Sequence, residues 1–253
     1  MAIYDSFNLE LALARSQIYA QNYKEAIAIL DEILAIAPDF YYALEERGRA
    51  KSFSGDVKGA LSDYSLRIAI APHDSTGFIR RGHEYMTYAY FIEAITDFTS
   101  ALRLDPIHKR AYLDRGRALA LSGDFRTAIE DFTVHMEFSQ MGAESGLLNR
   151  ARARHRLGDL NGALSDLTEV QTLQGSSCVS SSMMRGEVRL SALDYHGSID
   201  DLTEAIRLYP KLTNAYRLRS VARRKIGDMV GSCNDLFKYK NLGGFDIPAY
   251  SGW

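Results

Sequence analysis

Six histidines, two cysteines and a long file of arginines and aspartates are the side chains of this 253-residue chain best equipped for chemistry. His73, His83, His108, His135, His155 and His196 could move protons near neutral pH or hold a metal. They are scattered, with no HExxH and no pair at helical ligand spacing, so none reads as a metal ligand. Cys178 and Cys233 have no histidine at motif spacing, and two isolated cysteines make neither a zinc site nor a disulfide framework. A GxSxG elbow, a phosphate-cradling glycine loop and a dinucleotide fingerprint are all missing. With no nucleophile, base and orienting group to assemble, the expectation is a non-enzymatic protein without metal or cofactor.

The charged residues, by contrast, recur. Arginine stands at Arg47, Arg81, Arg115, Arg150, Arg185 and Arg219, and aspartate at Asp63, Asp97, Asp131, Asp166, Asp201 and Asp235. Their chemistry would be ion pairing, and the question is which elements bring them together. The ten letters RGRAKSFSGD at 47–56 return as RGRALALSGD at 115–124, and RGHEYMTYAY at 81–90 lies in register between them. Gly48, Gly82 and Gly116 are spaced by 34 residues, as are Pro38, Pro72 and Pro106. A fixed period of this size means stacked supersecondary units.

Each unit splits into two helical halves. In 41–72 the first half sets Leu44, Gly48 and Ala50 near one face. Gly55 closes that helix and Asp56 can cap the next. Val57, Ala60, Leu61, Tyr64 and Ile68 follow at three- and four-residue steps, an amphipathic helix that Pro72 stops. Small residues recur where the two helices approach, with Gly48 expected opposite Ala60, Gly82 opposite Ala94 and Gly116 opposite Ala128. The third unit has Ala89-Tyr90 where most others have a Gly-Asp pair.

This pattern resembles the tetratricopeptide repeat. The family's small eighth residue matches Ala14, Gly48, Gly82, Gly116, Ala151, Gly186 and Ser220; its alanine at the twentieth matches Ala26, Ala60, Ala94, Ala128 and Ala163. Its aromatic at the twenty-fourth matches Tyr64, Phe98 and Phe132, and its closing proline Pro38, Pro72, Pro106 and Pro210. Seven repeats are expected to start near residues 7, 41, 75, 109, 144, 179 and 213. The resemblance implies an all-α, right-handed superhelical solenoid of antiparallel helix pairs, one domain over 1–240, with 241–253 outside the repeat. The junctions after the fourth and fifth repeats widen to 35 residues and carry SQMGAESG at 139–146 and QGSSCVSSS at 174–182, where looser turns are expected.

The arginines fall at the seventh position and the aspartates at the twenty-third. The first repeat has Leu13 and Ile29 there, so charge stands at both positions or at neither. Pairing between neighbouring repeats would leave Arg47 facing Ile29 and Asp235 alone. The expected bridge is therefore within each repeat, setting helix register more than adding net stability.

In this family the wall formed by the first helices is lined by the second, fifth, ninth, twelfth and thirteenth positions. The resemblance thus implies a groove with Arg15, Arg49, His83, Arg117 and Arg152 in the ninth slot and Leu11, Ile79, Leu113 and Leu148 in the fifth. Tyr19, Tyr42, Phe53 and His155 fall at the other lining positions. Arginine has no acceptor and keeps its charge, so an unpaired basic row favours an anionic ligand. The expected partner is a protein offering an extended or helical segment of acidic and apolar residues. The five slots of the chaperone-tail clamp known in some relatives read Leu11, Arg15, Glu46, Thr76 and Arg80. Only Arg80 fits, so a co-chaperone of that type is not expected.

The last stretch, KNLGGFDIPAYSGW, leaves the repeat; Gly243-Gly244 reads as a turn, and Phe245, Ile247, Tyr250 and Trp253 as a cap over the last helix or a docking tail. Thirty Lys+Arg against 32 Asp+Glu leave a formal charge of −2, which disfavours nucleic acid. The N-terminus MAIYDSFNLELALARSQIYA has no basic start with an apolar core, and no apolar run reaches membrane length. A cytoplasmic scaffold or adaptor is the leading expectation. An RNA-binding solenoid using the arginine row, and a structural protein that self-associates through its terminal repeats, are the alternatives.

Overall fold

The computed structural model describes residues 7–139, 143–174 and 178–244. Fourteen helices and no strands occur among them, and the chain divides into two compact units between Asp124 and Phe125. The first unit holds α1 (Asn8–Tyr19), α2 (Tyr23–Ile36), α3 (Tyr41–Ser54), α4 (Val57–Ile70), α5 (Ser75–Thr87), α6 (Phe91–Leu104) and α7 (Lys109–Ser122). The second holds α8 (Phe125–Glu137), α9 (Ala143–Leu157), α10 (Leu160–Gln174), α11 (Val179–Ser191), α12 (Tyr195–Leu208), α13 (Thr213–Lys225) and α14 (Met229–Asn241). Every odd-numbered helix begins within one residue of an expected repeat start. Inside each unit a helix packs on its sequence neighbours, and first helices of adjacent repeats also touch, as α1 with α3 and α11 with α13.

The breaks follow from backbone chemistry. Helices α2, α4, α6 and α12 each end two residues before a proline, because the residue preceding proline avoids helical backbone. The turn inside the repeat needs a left-handed residue. Gly55, Gly123, Gly158 and Gly227 supply it with φ of 83 to 97°, and Gln21, Ala89 and Leu193 take the same conformation with φ of 60 to 63°. Ala89 thus makes the turn that glycine makes elsewhere, under strain. Asp56, Asp194 and Asp228 then cap α4, α12 and α14, each accepting from the backbone N–H three residues on.

Packing at the small eighth residue differs in detail from expectation. A Cβ on Gly48 would stand 2.7 Å from the Tyr64 ring, and one on Gly82 2.8 Å from the Phe98 ring. The room is taken by the aromatic of the twenty-fourth position rather than by Ala60 and Ala94, which are themselves fully buried.

The expected bridge closes within the repeat wherever both partners share a unit. Nε and Nη2 of Arg47 donate to Asp63 at 2.9 and 2.7 Å, those of Arg81 to Asp97 at 2.8 Å, and those of Arg150 to Asp166 at 3.0 and 2.7 Å. Arg185–Asp201 and Arg219–Asp235 repeat the arrangement. Arg115 and Asp131 are divided between the two units. The third guanidinium nitrogen reaches back one repeat: Nη1 of Arg47 donates to Asp31, of Arg81 to Ser65, of Arg115 to Thr99, of Arg150 to Thr133 and of Arg219 to Thr203. One turn further along the first helix, Lys51, Arg154, Arg189 and Arg223 add a second cation to the same aspartates at 2.7–3.0 Å. One arginine therefore ties three helices, and the aspartates it holds are buried with their charges compensated.

At the C-terminal end Gly243 turns left-handed with φ of 81°, and Gly244 donates back to the carbonyl of Tyr239, so the glycine pair is the turn read from sequence. The apolar residues Phe245, Ile247, Tyr250 and Trp253 lie outside the described residues, as do 140–142 and 175–177 within the two widened junctions and the first six residues.

Candidate functional site

The first helices present the expected lining slots, and the structure sorts their residues into three groups. Leu11 and Leu113 are not groove residues: they are 5% and 2% exposed. Leu11 packs with Phe7, Ala14, Leu30 and Ile33, because its slot on α1 points between the helices rather than off the face. Ile79 is half-buried, and so is Leu148, which packs against the cluster of Ala151, Ala163, Leu167, Met184 and Val188 in the second unit. Tyr42 is exposed, with its ring 4.2 Å from that of Tyr41.

The basic slot is not an unpaired row. Arg15 Nε donates to Glu46 at 2.7 Å, and Arg49 Nη2 stands 3.1 Å from the other Glu46 oxygen. His83 Nε2 lies 2.7 Å from Asp114, which also receives Arg110 at 3.1 Å and has Arg117 3.6 Å away. Both carboxylates are buried and both come from the sixth slot of the following repeat or of the same helix. Burial pushes the Asp114 carboxyl up, but the hydrogen bond and charge of His83 with the charge of Arg110 hold it below its ordinary value. In the second unit Arg152 is exposed, and His155 Nε2 meets Ser191 Oγ at 2.8 Å.

The thirteenth slot remains open. Tyr19, Phe53 and Leu121 are 80%, 59% and 50% exposed on three first helices of the same unit, and the Arg49 guanidinium sits 5.5 Å over the Tyr19 ring. Leu121 was not among the expected residues, although it shares its slot with Tyr19 and Phe53. Glu46 and Asp114 stand in the sixth slot, and no pattern within a single slot pairs the sixth with the ninth. Arg80 is bound to Glu45 at 2.8 Å. Five arginines (Arg15, Arg49, Arg80, Arg110 and Arg117) meet three carboxylates (Glu45, Glu46 and Asp114), which leaves a positive excess.

Behind the face lies Arg67, only 1% exposed, whose slot is Ala101 or Ala205 in other repeats. It donates to Glu45 at 3.2 Å and to Asp74 at 2.8 Å and lies 5.4 Å over the Tyr41 ring. Gly77 on the next helix makes room for it, since a Cβ there would stand 2.8 Å from Arg67 Nη1. Among the described residues no three His, Cys, Asp or Glu side chains gather as a metal site would need, and no helix is long and apolar enough to cross a membrane.

Family models described as tetratricopeptide repeat match residues 10–39 and 91–135. No curated protein matches the chain in sequence. Among solved structures, a tetratricopeptide repeat protein from Parabacteroides merdae is 15% identical, with a TM-score of 0.74 over 97% of this chain and 95% of that one. The C-terminal part of a TPR repeat-containing protein from Cytophaga hutchinsonii is 16% identical, with a TM-score of 0.74 over 92% and 95%. YrrB, a TPR protein with an unusual peptide-binding site, is 14% identical, with a TM-score of 0.57 over 71% and 91%. At such identities the likeness is one of fold. Repeat period, helix pairs, family models and structural neighbours agree: the chain is a tetratricopeptide repeat protein of about seven repeats.

Proposed function

We propose that the chain is a non-enzymatic protein-interaction scaffold and that the first-helix face of its first unit binds a segment of a partner protein. The observation that carries this reading is the thirteenth slot, where Tyr19, Phe53 and Leu121 stay exposed in a file beside the basic slot. Exposed apolar side chains in line, flanked by charge, suit an anchored segment better than bare solvent. The excess of arginine over carboxylate on the same face favours a segment with acidic as well as apolar residues. Glu46 and Asp114 temper that preference, since a ligand carboxylate must share arginines already engaged. The peptide-binding site that gives YrrB its description puts such a role within the range of this fold. Two free thiols, Cys178 and Cys233, suit a reducing, cytoplasmic setting.

The test uses the whole chain as bait in extract of its native cell. Phe53→Asp with Leu121→Asp changes only exposed groups, so the helical circular dichroism should be unchanged. That variant should lose the partners that the wild type captures. Ile36→Asp with Leu66→Asp, at exposed positions of second helices, should keep them. Equal capture by both variants would move the binding surface off the first helices.

A further inference from the structure

The junctions between repeats share a pattern of residue types. Nη1 of the seventh-slot arginine donates to the twenty-fifth slot of the repeat before, as Arg47 does to Asp31, Arg81 to Ser65 and Arg219 to Thr203. The twenty-eighth and fourth slots lie beside that contact. At the first junction Asp31, Leu34, Leu44 and Arg47 line one cleft, and Leu34 and Leu44 belong to one core cluster. Later junctions hold Ile68 with Phe78, Leu102 with Tyr112 and Ile206 with Tyr216 in those two slots, and one is polar on both sides, Gln171 with Ser182. The two slots change together, as the two members of a contact do.

Helix α14 carries the second-helix half of such a junction and α1 the first-helix half, and both faces are exposed. Leu236 is 40% exposed, whereas its slot in the six preceding repeats, with Tyr64 and Phe98 among its residues, is 3% exposed or less. Met229, Val230 and Cys233 extend the exposed stripe along α14. On α1, Leu9 and Leu13 are exposed one turn apart. The outer face of a terminal repeat is ordinarily polar, and these two are apolar.

Relative to an internal junction the residue types are exchanged, and on both sides. The twenty-fifth slot of the last repeat is Phe237, 68% exposed, and the seventh slot of the first is Leu13, 49% exposed. The pair that is arginine with a hydroxyl or carboxylate elsewhere is apolar here. The twenty-eighth slot is Lys240 and the fourth is Glu10, so a pair that is apolar at most junctions is ionic here. Phe237 cannot accept from a seventh-slot arginine, and Lys240 would be set against a fourth-slot leucine or tyrosine. The face of α14 therefore suits a helix with leucine and glutamate in those slots, and the chain itself supplies one in α1.

We propose that this chain associates head to tail with a second copy, α14 of one copy packing on α1 of the next. Phe237 lies on Leu13, and Lys240 pairs with Glu10. Leu9 stands where Ala43, Gly77 and Ala111 stand inside the chain, so the joint is wider than an internal one, and the Phe237 ring takes up the added space. The contact is heterologous: each copy offers a different half to each neighbour, so a third copy can join a pair. One helix pair is a small interface, in the weak class below about 1,200 Å2. The joint uses none of Tyr19, Phe53 and Leu121, so it is independent of the partner-binding face proposed above.

Sedimentation of the whole chain from low micromolar to near-millimolar concentration is the test. The average mass should rise with concentration. Leu13→Asp and Phe237→Asp replace exposed side chains, so each variant should keep the helical circular dichroism, and each alone should stay monomeric. Mixed in equal amounts they should form dimers and nothing larger, because only α14 of the first and α1 of the second remain intact. Lys240→Glu should weaken assembly about fivefold, and adding Glu10→Lys should restore it. A wild type that is monomeric throughout would overturn the proposal, in favour of a cover for α14 by residues 245–253 or by another protein. Assembly that persists in either Asp variant alone, a mixture that stays monomeric, or a charge reversal that restores nothing would overturn it as well.

Discussion

Arg219 and Asp235, sixteen residues apart, join the two helices of the last repeat through paired hydrogen bonds of 2.9 and 2.7 Å with both residues buried. Arg223 reaches the same aspartate at 3.0 Å. Removing the anion alone strands a buried cation, so Asp235→Ala should destabilise by about 3 kcal/mol. Adding Arg219→Leu should recover much of that loss, because the first repeat is built with Leu13 and Ile29 in those slots. A double-mutant cycle by urea unfolding measures the coupling, and additive losses would deny the joint any cooperative role.

Leu193 adopts a left-handed backbone that four other repeats give to glycine, and its side chain is largely exposed. Leu193→Gly should therefore stabilise the chain by about 1 kcal/mol, the strain relieved less the entropy that glycine adds to the unfolded state. The same change at Ala89 should act in the same direction. Thermal unfolding of the two variants checks it; a drop in the midpoint would show that the strain is illusory.

Gly77 and the buried Arg67 are a matched pair. Gly77→Ala pushes a methyl group into the Arg67 guanidinium and Ile68, and should destabilise by about 2 kcal/mol. Arg67→Ala, which gives this repeat the residue found at Ala101 and Ala205, should relieve part of the clash. The pair should be coupled in denaturant titration, whereas Gly77→Ala with a remote substitution should not be.

Asp114 sets a pH dependence with a definite sign. Its folded carboxyl titrates below the ordinary 3.8, so its contribution is complete above that value and is lost as pH falls through the folded one. Asp114→Asn should weaken the fold by about 2 kcal/mol at pH 7, and the gap from wild type should close as the medium is acidified below the ordinary value. Stability curves of both proteins from pH 7 to pH 2.5 measure it. A gap independent of pH would mean that the ionised form of Asp114 does nothing for the fold.

Much of the architecture was legible along the chain. The 34-residue recurrence of Gly48, Gly82 and Gly116, the Gly-Asp breaks and the closing prolines are local signals, and local backbone rules turn them directly into helix boundaries. The Arg–Asp joint could also be read, because Leu13 and Ile29 showed that the two slots change together. What lay beyond the sequence were contacts that cross repeats between unlike slots. Arg15 finds Glu46 across 31 residues, and the seventh-slot arginines reach hydroxyls and carboxylates of the preceding second helix. A repeat period fixes which face a residue shares with its equivalents; it does not fix which side chain of the next repeat comes within 3 Å. That depends on helix rotation and side-chain length, which only packing determines. The same cause buried Leu11 and Leu113 and left Tyr19, Phe53 and Leu121 exposed.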